Sequence, residues 1–150
     1  RKAGVNSILI ADLSIEEAEP VIEISKKTGV DTVFMISQLS DDNRIKKIAE
    51  NSSGFIYLVS RLGITGLRNE LQDSALFLIK KVRKFTDKPL CVGFGISTPP
   101  HVKKVISAGA DGAIVGSAIV NLIEKNLENK EEMLSEIADF VKRLKQATKE

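Results

Sequence analysis

Apolar residues in this chain fall into two patterns: short unbroken runs, and longer stretches where they recur every three or four positions. Ser7-Ile-Leu-Ile-Ala11, Asp31-Thr-Val-Phe-Met-Ile36, Gly54-Phe-Ile-Tyr-Leu-Val59, Pro89-Leu-Cys-Val-Gly93 and Gly112-Ala-Ile-Val115 read as strands. Continuous rather than alternating apolarity marks strands buried on both faces, as in parallel sheets covered by helices. Helical spacing predicts a helix over 15–27, with Ile15, Ala18, Val21, Ile22 and either Ile24 or Ser25 turned inward. Pro20 should bend it or delay its first turns, and Gly29 should close it. Ser40 is the expected N-cap of a second helix. Asp41 and Asp42 in its first turn and Lys46 and Lys47 later give the charge order a helix dipole favours. Further helices are expected over 72–85, from Pro99 to about Ala108 with Thr98 as cap, over 118–125, and over 131–147. The last places Met133, Leu134, Ile137, Val141 and Leu144 on one stripe.

The sum is five strands, each followed by a helix, with an extra short helix before the last one. Such alternation predicts a parallel sheet with helices packed over it, and right-handed crossovers put every strand's C-terminal end at the same rim. The loop after the third strand, Ser60-Arg-Leu-Gly-Ile-Thr-Gly-Leu-Arg-Asn69, is longer than an ordinary connection and has the character of a lid or ligand loop. Five βα units do not close an eight-stranded barrel, and Lys2-Ala3-Gly4-Val5 reads as the end of a helix. The expected fold class is α/β, and residues 1–150 read as the C-terminal part of something larger, a (β/α)8 barrel being the starting hypothesis. A half-open sheet of this kind exposes edges and an apolar inner face, which favours association.

Composition narrows the function classes. At 150 residues, 43% apolar and 28% charged, the chain reads as an ordinary globular protein large enough to bury a core. No apolar run approaches the roughly 18 residues a membrane span needs, so no membrane partner is expected. A net charge of +2, with Lys and Arg interleaved among Glu and Asp, gives no basic stripe for nucleic acid. Without Trp, and with one Tyr and six Phe, the chain also lacks aromatic interleaving for stacking bases. The single cysteine, Cys91, excludes an internal disulfide and suits a cytoplasmic setting. It reads as buried filler. No Cys and His grouping has metal-ligand spacing, and no metal is expected.

Candidate chemistry concentrates on the last two strand ends. Val92-Gly-Phe-Gly-Ile-Ser97 and Gly112-Ala-Ile-Val-Gly-Ser117 each run from a strand into glycine and hydroxyl residues and then into a helix. Glycine lets the backbone approach a ligand closely, and a helix N-terminus offers unsatisfied N–H groups to an anion. Phosphate sites of βα barrels are often built from the loops after strands seven and eight and a short extra helix. Read from the residues alone, Gly93, Gly95 and Gly116 fit either such a phosphate cup or plain tight turns. Tyr57 fits either a core aromatic or a pocket wall, and Arg61 either a lid brace or a surface position. Asp12 fits capping or loop bracing better than catalysis, and His101, in the first turn after Pro99-Pro100, is expected to face solvent.

Taken together, Leu9-Ile-Ala-Asp-Leu13, Phe55-Ile-Tyr-Leu-Val-Ser-Arg-Leu-Gly-Ile-Thr-Gly66, Val92-Gly-Phe-Gly-Ile-Ser97 and Gly112-Ala-Ile-Val-Gly-Ser-Ala-Ile-Val120 closely resemble the tryptophan synthase alpha subunit family, essentially from end to end of the chain. The resemblance implies a (β/α)8 barrel that cleaves indole-3-glycerol phosphate to indole and glyceraldehyde 3-phosphate. It implies no cofactor of its own, PLP belonging to a beta-subunit partner that receives the indole. Carried over by resemblance, the amides of Gly66, Gly95, Gly116 and Ser117 hold the phosphate. Leu9, Ala11, Met35, Tyr57, Phe94 and Ile114 line the indole pocket, and Arg61 and Thr65 belong to the lid loop. The family's two catalytic carboxylates come from its first two strands, which these residues do not include, so no catalytic residue is assigned and the isolated chain is expected to be inactive. Ser14, and the pair Ser37-Gln38, stand where the family usually has prolines. Both positions lie at the rim and leave the phosphate cup and lid untouched. The alternatives are another phosphosugar barrel enzyme and a non-catalytic phosphate-binding half-barrel.

Overall fold

The computed structural model describes residues 1–59, 73–93 and 95–149. Within them the chain forms β1 (Ser7–Leu9), α1 (Glu19–Thr28), β2 (Asp31–Val33), β3 (Met35–Ser37), α2 (Asp42–Asn51), β4 (Ile56–Val59), α3 (Asp73–Arg83), β5 (Leu90–Gly93), α4 (Pro99–Ser107), β6 (Gly112–Ala113), α5 (Ser117–Lys125) and α6 (Lys130–Gln146). Every recorded strand pairing is parallel: β1 with β2, then β3, β4, β5 and β6 in that order. The single strand expected over 31–36 is divided at Phe34. Its first half serves β1 and its second half serves β4, so one stretch of chain joins the two ladders.

The helices follow from local chemistry with small displacements. Pro20 sits in the first turn of α1, which starts at Glu19 rather than Ile15, because a ring nitrogen without a proton fits only where no intrahelical partner is needed. Ile15 and Ala18 are still buried, in the turn that precedes the helix. Ile24 points outward at 59% exposure, leaving Ser25 as the inward residue of that pair. At α2 the cap is Asp41, whose carboxylate accepts from Arg44 N–H at 2.8 Å. Ser40 is instead buried, with its hydroxyl accepting from Ser37 N–H. Thr98 caps α4 as expected.

The core lies between sheet and helices. Ile36, Leu58 and Val92 are fully buried under Ile45 and Ile48 of α2, Leu78, Ile79 and Val82 of α3, and Val102 and Val105 of α4. Each such side chain contributes about 1.5–3 kcal/mol by leaving water. In α6 the inward stripe is Met133, Ile137, Phe140, Leu144 and Ala147, while Leu134 and Val141 are exposed. The expected stripe was rotated towards a face that nothing in these residues covers. β1 departs similarly: Ile8, Leu9 and Ile10 are 38–43% exposed rather than buried on both faces. Among the described residues β1 and β6 each pair on one side only.

At the strands' N-terminal ends, three charged side chains tie the layers together. Lys88 Nζ donates to the carbonyls of Ala49, Glu50 and Ser52, satisfying the C-terminal end of α2 with a cation where the dipole favours one. Arg83 donates to the carbonyls of Thr86, Lys88 and Gly109 and forms a 2.6 Å ion pair with Asp111. Asp111 also accepts from Leu90 N–H at 2.8 Å, so one carboxylate joins α3, β5 and the start of β6.

Burial alone would push the Asp111 carboxyl up, but the Leu90 N–H together with the Arg83 hydrogen bond and charge outweigh it and hold its pKa below the usual value. A depressed folded-state pKa contributes stability that is complete above the unfolded value, about 3.9, and is lost as pH falls through the lower folded value. Asp111→Asn should therefore cost about 1 kcal/mol near neutrality. The gap between wild type and variant in urea midpoint should close as the pH is lowered below about 4. A gap that persists unchanged at low pH contradicts this role. The exposed apolar residues at both edges further predict that a polypeptide of these 150 residues elutes as associated species in size-exclusion chromatography. Leu134→Glu combined with Val141→Glu should shift it towards the monomer volume.

Candidate functional site

Parallel pairing in register brings Met35, Tyr57, Cys91 and Gly112 into one row on the face of the sheet away from the core helices. All four are half-buried, in contrast to the fully buried row behind them. Ser37, Val59 and Gly93 form the next row, one step nearer the C-terminal rim. Side-chain size is matched across these rows. A Cβ built on Gly93 would land on the Tyr57 hydroxyl and 2.5 Å from Cζ, so the phenol of β4 occupies the space that glycine leaves on β5. A Cβ on Gly112 would likewise lie 3.0 Å from Cys91 Sγ. Burial raises the pKa of Tyr57. Burial and then the charge of Asp111 raise that of Cys91, which keeps the thiol protonated and inert.

The rim above holds the two glycine turns. Gly95, two residues past β5, has φ +84°, a left-handed conformation that a side chain would strain. Ile96 anchors this turn in the core at 4% exposure, and Thr98 opens α4 directly behind it. On the neighbouring strand the pairing continues one step past β6, Ile114 N–H donating to Val92 O at 2.8 Å. The chain then turns at Gly116, which caps α5 without a side chain of its own. Gly116 O accepts from the N–H groups of Ile119 and Val120. Among the described residues no acceptor meets the N–H groups of Ser117 and Ala118. These are the orphan donors that a helix of this length offers at its positive end. Both turns stand on adjacent parallel strands, so they share one rim.

Of the expected site residues, Met35, Tyr57 and Ile114 are half-buried on or beside this sheet. Leu9 and Ala11 lie at or just beyond the exposed end of β1. Gly66, Arg61, Thr65 and Phe94 lie outside the described residues. His101 is the clear correction. It is 4% exposed rather than solvent-facing, because the helix it opens packs its first turn against the glycine turn. Position alone suggested a surface residue, and only a helical-face count through Val102 and Val105 could have placed it inward. No group of three or more His, Cys, Asp or Glu stands together as a metal site among the described residues. Nor is any helix among them long and apolar enough to cross a membrane.

Comparison with known proteins identifies the type of molecule to which this rim belongs. The family model described as "Tryptophan synthase alpha chain" matches residues 1–149. The chain belongs to the tryptophan synthase alpha chain family. A tryptophan synthase alpha chain of Methanoregula boonei is 44% identical over 149 residues, covering 99% of this chain and 56% of that relative. The alpha chain of Methanocaldococcus jannaschii is 47% identical over 136 residues, covering 91% and 48%. Among solved structures, a chain of the tryptophan synthase α2β2 complex from Pyrococcus furiosus superposes with a TM-score of 0.85 at 34% identity, over 95% of this chain and 56% of that one. The chain thus spans about half the length of the relatives it matches. Its five parallel βα units are part of the family's barrel.

The matched sizes of Tyr57 and Gly93 make a direct prediction. Gly93→Ala should force the phenol from its place and cost about 1–3 kcal/mol of stability, as overpacking does. Adding Tyr57→Val, which vacates the space, should recover most of that loss in a double-mutant cycle. Additive losses would show that the two residues do not share the space.

Proposed function

We propose that the whole protein is a lyase of tryptophan biosynthesis that cleaves indole-3-glycerol phosphate to indole and glyceraldehyde 3-phosphate. In this reading residues 1–150 are the C-terminal part of one (β/α)8 domain and carry the phosphate grip. The observation that supports it most is the family match over residues 1–149, combined with two donor-bearing glycine turns on adjacent strands of one rim. A phosphate dianion seated there would accept from the amides at Gly95, Gly116 and Ser117, with Gly66 contributing from the loop after β4. The left-handed Gly95 lets backbone come close, and the dipole of α5 adds favourable charge.

The indole ring would then lie over the half-buried inner row. Met35, Tyr57 and Ile114 would form its wall, with Leu9, Ala11 and Phe94 at the margins and Arg61 and Thr65 on a loop that closes over it. Such a wall is apolar and partly dry, which suits an aromatic ring held by a few polar contacts. Carbon–carbon cleavage of this substrate requires one group to move a proton at the indole ring and another to take one from the glycerol hydroxyl. Those two carboxylates would come from strands preceding these residues, and no residue of 1–150 is assigned to either role. The partner would be a PLP-bearing beta subunit that consumes the indole, so no cofactor is needed on this chain, and the setting would be the cytoplasm. The P. furiosus relative is described as part of an α2β2 complex, which supports such a partner.

Two measurements test this reading. A polypeptide of these 150 residues should release no indole above background from indole-3-glycerol phosphate, and substantial turnover would overturn the placing of the carboxylates elsewhere. Glycerol phosphate should shift the backbone amide resonances of Gly95, Gly116 and Ser117. Ser117→Asp should abolish that response by setting a carboxylate against the dianion. It should not weaken α5, since an acid at a helix N-terminus is favourable by about 0.3–1 kcal/mol.

A further inference from the structure

His101 occupies the first turn of α4, buried to 4% exposure, and faces back towards the glycine turn. Its own N–H donates to Thr98 Oγ1 at 3.4 Å, joining it to the helix cap. Its ring meets the chain again one residue earlier: Ser97 N–H donates to Nδ1 at 3.3 Å, and Ser97 Oγ stands 3.5 Å from the same nitrogen. A backbone N–H can donate to Nδ1 only where that nitrogen carries a lone pair, so the ring proton sits on Nε2. The imidazole thus closes a small loop, from Ser97 through Thr98 and the two prolines back to Ser97.

This loop is the C-terminal half of the turn that begins at Gly95. The turn is left-handed at Gly95 and anchored in the core by Ile96, and the chain makes its exit from it at Ser97. We propose that His101 is a positioning residue for phosphomonoester binding: by taking the Ser97 N–H through Nδ1, it fixes that exit and so holds the Gly95 N–H aimed over the strand ends. The proposal rests on the phosphate reading of the rim given above. It assigns the imidazole no contact with the ligand and no proton transfer. Its work is to engage one part-buried donor of the turn so that the chain cannot swing to satisfy that donor elsewhere. A buried N–H left without a partner is costly, and a turn that loses its acceptor relaxes towards whatever acceptor it can find.

Substitutions separate the acceptor from the ring's bulk. His101→Phe keeps the volume and removes the acceptor. His101→Asn places a carbonyl oxygen on Cγ, where Nδ1 is attached, and sacrifices volume. With the isotopically labelled chain, the wild-type imidazole should show an unprotonated Nδ1 and a protonated Nε2, and the Ser97 amide should be protected from hydrogen exchange. Inorganic phosphate, followed at the Gly95 and Gly116 amides, should bind His101→Phe roughly three- to tenfold more weakly than wild type, the range one lost hydrogen bond supports. His101→Asn should stay within about twofold of wild type and retain the Ser97 protection. A protonated Nδ1 in the wild type overturns the proposal, and that measurement stands even where a variant fails to fold. Equal Ser97 exchange and equal phosphate affinity in wild type and His101→Phe overturn it as well. Absence of any phosphate response at Gly95 and Gly116 in the wild type sinks the phosphate reading and the positioning role with it. The tautomer and exchange data tell that failure apart from a failure of the His101 contact.

Discussion

Parallel register across β3, β4, β5 and β6 is the constraint from which the rest of this molecule follows. Because Met35, Tyr57, Cys91 and Gly112 are aligned partners, they must share a face, and Ile36, Leu58 and Val92 must share the opposite one. The second row is fully buried beneath three helices, so a slip of one residue would turn the core outward and bury the mixed row in its place. Parallel pairing with helical crossovers also brings all the strand C-termini to one side. The two glycine turns are therefore neighbours in space although some twenty residues separate Gly95 from Gly116 in the chain.

That geometry divides the molecule into a base whose polar groups are paired and a rim where some backbone donors are not. At the base, Lys88, Arg83 and Asp111 satisfy carbonyls and one another, closing helix ends and strand starts. At the rim the polar groups are arranged in the opposite sense. Donors at Ser117 and Ala118 have no protein acceptor among the described residues, and backbone lies bare where glycine replaces a side chain. Between base and rim, the two inner rows are filled by unequal neighbours, Tyr57 beside Gly93 and Cys91 beside Gly112. Each large group uses the space its neighbour leaves, so the inner surface is shaped by pairs rather than by single residues.

Leu39, Phe77 and Ile24 aside, most of the apolar residues left in water lie towards the two ends of the sheet. Ile8 and Leu9 belong to one outer strand and Ile10 follows it, while Val120, Leu134 and Val141 belong to the helices beside the other. Both ends of the sheet are thus unfinished in the same way. The family's chains are almost twice as long as the span matched here, and the partial barrel of five units is consistent with that ratio.

Local chemistry was enough to read most elements from the sequence. Unbroken apolar runs marked the strands, Pro20, Gly29 and Thr98 marked helix limits, and glycine followed by serine marked the rim turns, since these signals depend on a few adjacent residues. The glycines alone left tight turn and ligand cup open, and the ligand reading entered only with the family resemblance. Other features depended on distant neighbours. Strand 31–36 divides at Phe34 because two different strands claim its two halves, and β1 is exposed because its apolar side has no neighbour within these residues. The α6 stripe settles on Phe140 and Ala147 rather than Leu134 and Val141 for the same reason: only one side of that helix has anything to pack against. His101 differs from its expected solvent position because its place after Pro99-Pro100 says nothing of the backbone turn packed against it, although it shares a helix face with buried Val105. The sequence by itself determined which segments are strand, helix and glycine turn, because short-range sterics and periodicity decide those. Only the tertiary structure decided which face each presents and which donors remain free, because burial and satisfaction are properties of what stands opposite.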